Sequence, residues 1–416
     1  MDGLTGKQAL HLDTIVYIVQ AIPGQRDVER FGVKFMRDQG LRVEVWDVHE
    51  IFLPGAPEVE RSLEPGVSFR RFSESTSLVQ ACSALKSNCL VVLVAGAYRG
   101  EFVRFRKMLR SLSKSGALLG AVSAGHRPPV PQGPKSGARF FGVMRRVFRQ
   151  VQLLHTGRRT LKDLRSLVGQ SSLYSIYRLT SKIQWRWIRP LDWAWVGTNI
   201  ESIEPLLIGP RTRIRLIHTW DYDRVLRQDD VPERTRGPIY LDAMGPLHPD
   251  FKALGIAVRV NTDRWFAGVN SALMRIDRAL GQEISVAAHP RATPGSLDMH
   301  YPNRSVHYGQ TLELVRDASL VVISNPTTAL GYAVIFEKPV LVLQGESIFE
   351  SHANELLQYA GLLGLEVLAL DDVPEDWQPT TVDRKKYSKF RHQYIKSEGS
   401  PEAPFWSLVL RDARTL

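Results

Sequence analysis

Three polar segments in the second half of the chain combine side chains that can carry out chemistry. They are Asp242, the triplet His289-Pro290-Arg291, and the segment Ser324-Asn325-Pro326-Thr327-Thr328. A carboxylate can serve as a general base or a nucleophile, and an imidazole can bind an anion or transfer a proton. Hydroxyl groups at the start of a helix favour phosphate, because the free backbone amides and the helix dipole attract negative charge. Together the three segments indicate a site that binds a phosphate group.

Each of these segments follows a run of residues typical of a β-strand. Strands are predicted at 238–241, 283–288 and 320–323, with intervening helices such as the one at 263–280. Strands that alternate with helices form parallel sheets, and open parallel sheets bind ligands at the carboxyl ends of their strands. We therefore expect all three segments to lie at one edge of one sheet.

Taken singly, the same residues also have structural explanations. An aspartate after a strand is as often a turn or cap residue as a catalyst, so Asp242 alone decides nothing. Likewise, a histidine beside a proline, as at His289, is more often the end of a strand than a phosphate ligand. Their occurrence in order, before a hydroxyl-rich turn, favours a functional interpretation.

The first half of the chain shows the same alternation of strands and helices. Strands are predicted at 14–20, 41–48, 89–95 and 117–123, and helices at 26–39 and 101–114. None of the loops after these strands contains a dinucleotide fingerprint or a P-loop. Two loop residues, Arg99 and His126, are candidate contacts to an acceptor, although an ordinary surface role is common for such residues.

A strongly basic segment lies at about 134–190 and contains thirteen Lys and Arg residues but only one acidic residue, an Asp. Part of it has apolar residues at helical intervals, which is typical of an amphipathic helix that can lie on an anionic membrane. A core helix with a solvated basic face explains the pattern equally well. No helix-turn-helix, zinc-finger or RNA-binding motif accompanies the charge, so nucleic acid is not expected as a partner.

The composition sets further bounds. A chain of 416 residues is long enough for two domains, and its two cysteines, Cys82 and Cys89, have no metal-binding or redox spacing. The first residues lack a secretion-signal pattern, and no apolar run is long enough to span a bilayer. We expect a cytoplasmic protein, peripheral on the inner face of the membrane, with domains at 1–210 and 211–375 and a C-terminal linker and helix at 376–416.

The order of the motifs resembles the bacterial sialyltransferase-like glycosyltransferases and the related Kdo transferases. The resemblance covers roughly residues 238–345 and rests on Asp242, on His289-Pro290, and on Ser324 with Thr327-Thr328. It implies a GT-B type α/β fold, with two Rossmann-like domains facing a cleft and a C-terminal helix packing back on the N-terminal domain. It also implies that His289, Pro290 and Arg291 bind the donor nucleotide together with Ser324, Asn325, Thr327 and Thr328.

The same resemblance implies transfer of an acidic ulosonic sugar from a CMP-sugar to a glycan or glycolipid in bacterial surface-polysaccharide synthesis, without a cofactor or metal. His289 would stabilise the departing phosphate, and Asp242 would act as a base that inverts the anomeric centre or as a nucleophile that retains it. The sialyltransferases often have two adjacent acids before a glycine, whereas this chain has Asp242-Ala243. The alternatives are a UDP- or GDP-sugar or polyol-phosphate donor, or a non-catalytic assembly protein.

Overall fold

The computed structural model describes residues 11–19, 25–52, 67–94, 102–125, 128, 188–197, 207–228, 236–249, 251, 257–349 and 351–415. The predicted acceptor contacts Arg99 and His126 lie outside these ranges, as does the basic segment up to residue 187. The described residues form two parallel β-sheets covered by helices. The α/β class predicted from the sequence is therefore confirmed.

The first sheet has seven parallel strands in the order β3-β2-β1-β4-β5-β6-β7. The strands are β1 (Thr14–Val19), β2 (Arg42–Asp47), β3 (Ser68–Arg71), β4 (Cys89–Val94), β5 (Leu118–Ser123), β6 (Trp193–Val196) and β7 (Arg213–Leu216). Alternate residues of β1 enter two different cores, with Val16 and Ile18 on one face and Ile15 and Tyr17 on the other. Both faces of this sheet are thus covered, which explains the continuous apolar runs in its central strands.

Five helices belong to the first half of the chain: α1 (Gln25–Arg30), α2 (Val33–Asp38), α3 (His49–Phe52), α4 (Ser75–Ser83) and α5 (Phe102–Lys114). The helix predicted at 26–39 is thus two helices. Between them Gly32 has a left-handed backbone with φ 59°. A side chain at this position would collide with the indole of Trp406. Glycine is therefore favoured both by the left-handed backbone and by the lack of space for a side chain.

The strand predicted to open the second domain near residue 212 belongs instead to the first sheet. It is β7, which pairs in parallel with β6 through contacts such as Ala194 with Ile214. The boundary expected between residues 210 and 211 is therefore wrong. A short edge strand looks the same in either sheet from its own sequence, and only its partner strand settles where it belongs.

The second sheet has six parallel strands in the order β10-β9-β8-β11-β12-β13. The strands are β8 (Ile239–Leu241), β9 (Ser285–Ala287), β10 (Val306–His307), β11 (Val321–Ile323), β12 (Val340–Gln344) and β13 (Glu366–Ala369). The helices around it are α6 (Trp220–Leu226), α7 (Thr262–Leu280), α8 (Thr311–Asp317), α9 (Leu330–Ile335), α10 (His352–Leu363) and α11 (Arg384–Tyr394). Each face of this sheet packs into its own apolar core.

The C-terminal part divides between the two sheets. Helix α11 packs on the second one, where the Tyr387 hydroxyl donates a hydrogen bond to the Lys338 carbonyl at 2.9 Å. The last helix, α12 (Phe405–Arg414), returns to the first sheet and buries Phe405 and Trp406 in its core. The predicted return of a C-terminal helix to the first domain is confirmed. In the described ranges, no helix has the length and apolar character needed to cross a membrane.

Candidate functional site

The strand order places the three polar segments side by side. Strands β9 and β11 both pair with β8, so the segments that follow these three strands emerge at one edge of the sheet. The order of the strands reverses between β8 and β11, because β9 and β10 lie on one side of β8 and β11 to β13 lie on the other. Such a reversal opens a crevice at the carboxyl edge, and open α/β sheets bind their ligands there.

Asp242 follows β8 directly but points into the protein. The residue is only 4% exposed, and its Oδ1 accepts a hydrogen bond from the Tyr301 hydroxyl at 2.9 Å. Its Oδ2 is buried and has no hydrogen-bond partner. Burial raises the pKa of this carboxyl to about 6, against the lowering effects of the Tyr301 hydroxyl and the Met244 amide. The carboxylate is therefore enclosed and does not open onto the edge of the sheet.

A tight turn after Asp242 keeps the carboxylate in this position. Met244 and Gly245 both have positive φ angles, 61° and 45°. A side chain at residue 245 would lie 2.5 Å from the ring of Trp265 on α7, so glycine is needed there for space as well as for conformation. The turn thus places the backbone of Gly245 against Trp265 of α7.

Ser324 and Asn325, which follow β11, are also turned inward. They are 2% and 5% exposed. The Ser324 Oγ lies 2.5 Å from the Tyr240 hydroxyl and accepts a hydrogen bond from the Asn325 Nδ2 at 3.3 Å. The Asn325 Oδ1 in turn lies 2.9 Å from the Nε2 of His352 on α10. The polar atoms of these two side chains are therefore engaged in hydrogen bonds within the protein.

The Tyr240 hydroxyl also interacts with the hydroxyl of Tyr301. The inward-facing groups thus join into a single buried network, which consists of Asp242, Tyr301, Tyr240, Ser324, Asn325 and His352. Burial disfavours the charged form at both ends of the network: it raises the pKa of Asp242 to about 6 and lowers that of His352 to about 4, so His352 is neutral at pH 7. Because the Asn325 oxygen accepts from Nε2, the neutral His352 leaves its buried Nδ1 without a proton or a partner.

His289 and its neighbours lie nearer the surface. The imidazole of His289 is half-buried, Pro290 and Arg291 are exposed, and the Nδ1 of His289 accepts the Arg291 amide at 3.2 Å. The His248 ring lies edge-on to it, with 5.0 Å between centroids. This side of the edge therefore offers an imidazole and a guanidinium group in positions where an anion can approach.

Thr327 and Thr328 lie on the other side of β8. Both are half-buried and line a small cleft together with Thr219, Asp221 and Tyr394. The Thr327 Oγ1 accepts the Ala329 amide at 3.2 Å, and α9 begins only at residue 330. Of the predicted hydroxyl motif, the two threonines are the part that remains near the surface.

Sequence reasoning missed Tyr240, Tyr301 and His352. Tyr240 lies inside a predicted strand, two residues before Asp242, so the two side chains share a face of the sheet, but an aromatic residue in a strand is usually part of the core and carries no signal of its own. Tyr301 and His352 come from a loop and a helix with no motif of their own. Among the residues that the structure describes, no group of three or more His, Cys, Asp or Glu side chains is arranged to hold a metal ion.

No family model and no curated protein matches the chain. Solved structures match it at low identity, and those named here are glycosyltransferases. The glycosyltransferase of kitacinnamycin is 9% identical, with 97% of this chain and 100% of that chain covered and a TM-score of 0.44. Arabidopsis thaliana UGT89C1, complexed with UDP-L-rhamnose, is 10% identical, with 97% and 99% covered and a TM-score of 0.45. Acinetobacter baumannii MurG is 9% identical, with 96% and 98% covered and a TM-score of 0.39.

Proposed function

We propose that the chain is a glycosyltransferase of the GT-B type that binds a nucleotide-sugar donor at the carboxyl edge of the second sheet. The observation that carries the proposal is the position of the three polar segments on the adjacent strands β9, β8 and β11, around the reversal of strand order. His289 and Arg291 on one side of β8, and Thr327 and Thr328 on the other, supply donors suited to phosphate.

The spacing of these two groups favours a donor with two phosphates. Strands β9 and β11 are separated by β8, so their ends lie about 10 Å apart. Two linked phosphates fit a gap of this width, with the imidazole and guanidinium at one end and the threonine hydroxyls at the other. Asp242, one of the residues that carry the ulosonic-acid resemblance, is enclosed. We therefore propose a UDP-, dTDP- or GDP-sugar as donor, and a CMP-linked ulosonic sugar as the second candidate.

The roles follow from the chemistry of transfer. As the bond between the sugar and the donor phosphate breaks, negative charge grows on that phosphate, and fixed cationic or hydrogen-bonding groups lower the barrier. His289 and Arg291 would provide such groups after β9, and the hydroxyls of Thr327 and Thr328 would provide them after β11. The acceptor would be a glycan or glycolipid of a bacterial surface polysaccharide. Contacts from Arg99, His126 and the basic segment 134–190, with the protein at the inner face of the membrane, remain part of this proposal.

Calorimetric titration with UDP, dTDP, GDP and CMP tests the site. We expect binding of a nucleoside diphosphate that weakens at least tenfold in His289→Ala and in the double variant Thr327→Ala/Thr328→Ala, because each removes a charge-assisted or neutral hydrogen bond to phosphate. His392→Ala, on the exposed side of α11, is the matched control and should bind as the wild type does.

The other outcomes separate the alternatives. Selective binding of CMP would support the ulosonic-acid donor. Binding of a nucleotide without turnover of any nucleotide sugar would support a non-catalytic assembly protein, and the absence of nucleotide binding would contradict the proposed function.

A further inference from the structure

An arginine of the first domain lies close to the two threonines of the candidate site. Arg30 is the last residue of α1, and its Nη2 lies 3.7 Å from the Oδ1 of Asp221, in the first turn of α6. Asp221 lines the small cleft that also contains Thr327 and Thr328. A carboxylate paired with a cation is therefore a neighbour of the hydroxyl groups to which we assign a phosphate.

This cleft lies where the carboxyl edges of the two sheets meet. The backbone amide of Trp220, the residue before Asp221, donates to the carbonyl of Ala124 at 3.0 Å, directly after β5 of the first sheet. The two threonines follow β11 of the second sheet. Since open α/β sheets bind ligands at this edge, one ligand in the cleft can contact side chains from both domains.

The contact between Arg30 and Asp221 is weak. At 3.7 Å the two atoms are too far apart for a hydrogen bond, and the Asp221 Oδ1 accepts the Tyr332 hydroxyl at 3.1 Å instead. The Arg30 guanidinium lies over the ring of Trp220, 5.4 Å from its centroid, and this contact uses no N–H group. Within the described ranges its N–H groups donate no hydrogen bond, although the side chain is only 19% exposed.

Charge decides what such an arrangement can bind. A phosphate at Thr327 and Thr328 would be repelled by the like charge of Asp221 if no cation were near. The Arg30 guanidinium offsets that charge, and its paired N–H groups match the geometry of phosphate oxygens. For Arg30 a phosphate is also the better partner, because hydrogen bonds of normal length would replace a contact that is too long to be one.

We propose that Arg30 is a phosphate ligand supplied by the first domain, and that Asp221 competes with the phosphate for it; this rests on the proposed glycosyltransferase function. Without a donor, Arg30 and Asp221 neutralise each other beside the cleft. When the donor phosphate binds at Thr327 and Thr328, Arg30 turns from Asp221 to the phosphate oxygens. The donor then connects the two domains, and the charge of Asp221 disfavours ligands that do not engage Arg30.

The test is calorimetry on the full-length protein. Titration of the wild type with UDP, dTDP, GDP and CMP identifies the nucleotide that it binds, and the variants are then titrated with that nucleotide. We expect Arg30→Met to weaken binding about ten- to a hundredfold and Arg30→Lys to weaken it less, because only the lysine keeps a charge for the phosphate. Methionine retains the apolar stem over Trp220, so this variant should fold.

The competition predicts an effect of the opposite sign at Asp221. We expect Asp221→Asn to strengthen binding about threefold, because it removes both a like charge and a rival for Arg30. The double variant Arg30→Met/Asp221→Asn should bind more tightly than Arg30→Met alone. Wild-type affinity in Arg30→Met, or binding in Asp221→Asn that is no tighter than in the wild type, would overturn the proposal.

Two controls separate a phosphate contact from a structural effect. Arg42→Met removes an ion pair of similar length, 3.4 Å to Glu44, at the opposite edge of the first sheet, and should bind the nucleotide as the wild type does. The corresponding nucleoside, titrated by NMR, should bind equally to the wild type and to Arg30→Met. An equal loss for nucleoside and nucleotide would show a structural effect and contradict the proposal.

The same titrations distinguish this inference from the proposed function. A wild-type protein that binds none of the four nucleotides contradicts the proposed function itself. A wild type that binds one of them, with Arg30→Met binding it equally well, contradicts only the role of Arg30.

Discussion

At the scale of single residues, burial disfavours the charged form of the Asp242 carboxyl group. Its Oδ1 is bound by Tyr301, and its Oδ2 is enclosed without a partner. The folded protein raises the pKa of this carboxyl to about 6 from the ordinary value of 3.8. Between these two values the folded state holds a proton that the unfolded state has lost. The contribution of Asp242 to the free energy of unfolding therefore falls as the pH rises through this window, and the whole cost of the buried charge is present above about pH 6.

Replacing Asp242 by Asn should remove this cost. The shift corresponds to about 3 kcal/mol, and since the Asn amide would itself lack one partner, we expect Asp242→Asn to be more stable than the wild type by about 2 kcal/mol at pH 7.5. Below pH 4 the difference should vanish. Urea denaturation at both pH values measures it, with the exposed Asp38→Asn as the control. An equal difference at both pH values would contradict the buried-charge explanation.

The position of the site residues was predictable, but their orientation was not. Asp242, His289 and Ser324 each follow an apolar run of strand length, and parallel pairing places all three at one edge. Whether a side chain there faces solvent depends on residues distant in the sequence. Tyr301 encloses Asp242 from 59 positions away, and Tyr240 binds Ser324 from 84 positions away.

At the scale of elements, Gly32 sets how α1 and α2 meet the C-terminal helix. Its φ is 59°, and an added Cβ would lie 2.2 Å from the Trp406 Cδ1. The same indole donates a hydrogen bond to the Arg30 carbonyl at the end of α1. The break between α1 and α2 therefore makes the space into which α12 packs.

Gly32→Ala should destabilise the protein by about 3 kcal/mol, because it adds a left-handed alanine and a collision with a buried indole. Gly40→Ala is the matched control. Gly40 also has a positive φ, 82°, but no atom lies within 4 Å of the added Cβ, so only the backbone cost of about 1 kcal/mol remains. Thermal or urea unfolding of both variants measures the difference, and equal losses would show that the contact with Trp406 contributes nothing.

The elements that the sequence revealed are those with long apolar runs. Strands β1, β2, β4 and β5 and helix α7 appear close to where they were predicted. The edge strand β3 was missed because its residues, Ser-Phe-Arg-Arg, are mostly polar. In β6, Trp193 and Trp195 follow directly after the basic segment in the sequence, and both are buried in the first sheet. Edge and aromatic strands carry little periodicity, so their partners identify them better than their own residues do.

At the scale of the whole molecule, the chain passes between the two sheets in two segments that run side by side. One links β7 to α6 and the other links α11 to α12. They are joined by the hydrogen bond from the Thr219 amide to the Ile395 carbonyl at 2.8 Å and by contact of the His218 Nε2 with the Ala403 carbonyl at 2.9 Å. Any change in the angle between the sheets must therefore pass through both segments.

The second linking segment, between α11 and α12, is anchored by the contacts that hold α12 on the first sheet. Asp412 accepts hydrogen bonds from the Arg215 Nη2 at 2.6 Å, the Arg215 Nε at 2.9 Å and the Trp195 Nε1 at 3.1 Å. Since the Arg215 side chain is 36% exposed and can regain water, we expect Asp412→Asn to cost about 2 kcal/mol of stability and not the larger cost of a fully buried pair.

A double-mutant cycle with Arg215→Met measures this coupling by urea denaturation, and Asp376→Asn, on the surface, is the control. Additive losses from the two single variants would show that the ion pair does not hold the helix.

The buried network has one more property, which concerns both of its ends. His352 is held neutral with its pKa lowered to about 4, so below the ordinary value of 6.5 the unfolded state takes up a proton that the folded state does not. Over nearly the same pH range, the folded state holds a proton on Asp242 that the unfolded state has lost. Between about pH 4 and 6, the folded network carries its proton on the carboxyl and the unfolded chain carries it on the imidazole. For these two groups unfolding is isoprotonic, and mild acidification leaves their combined contribution to stability unchanged.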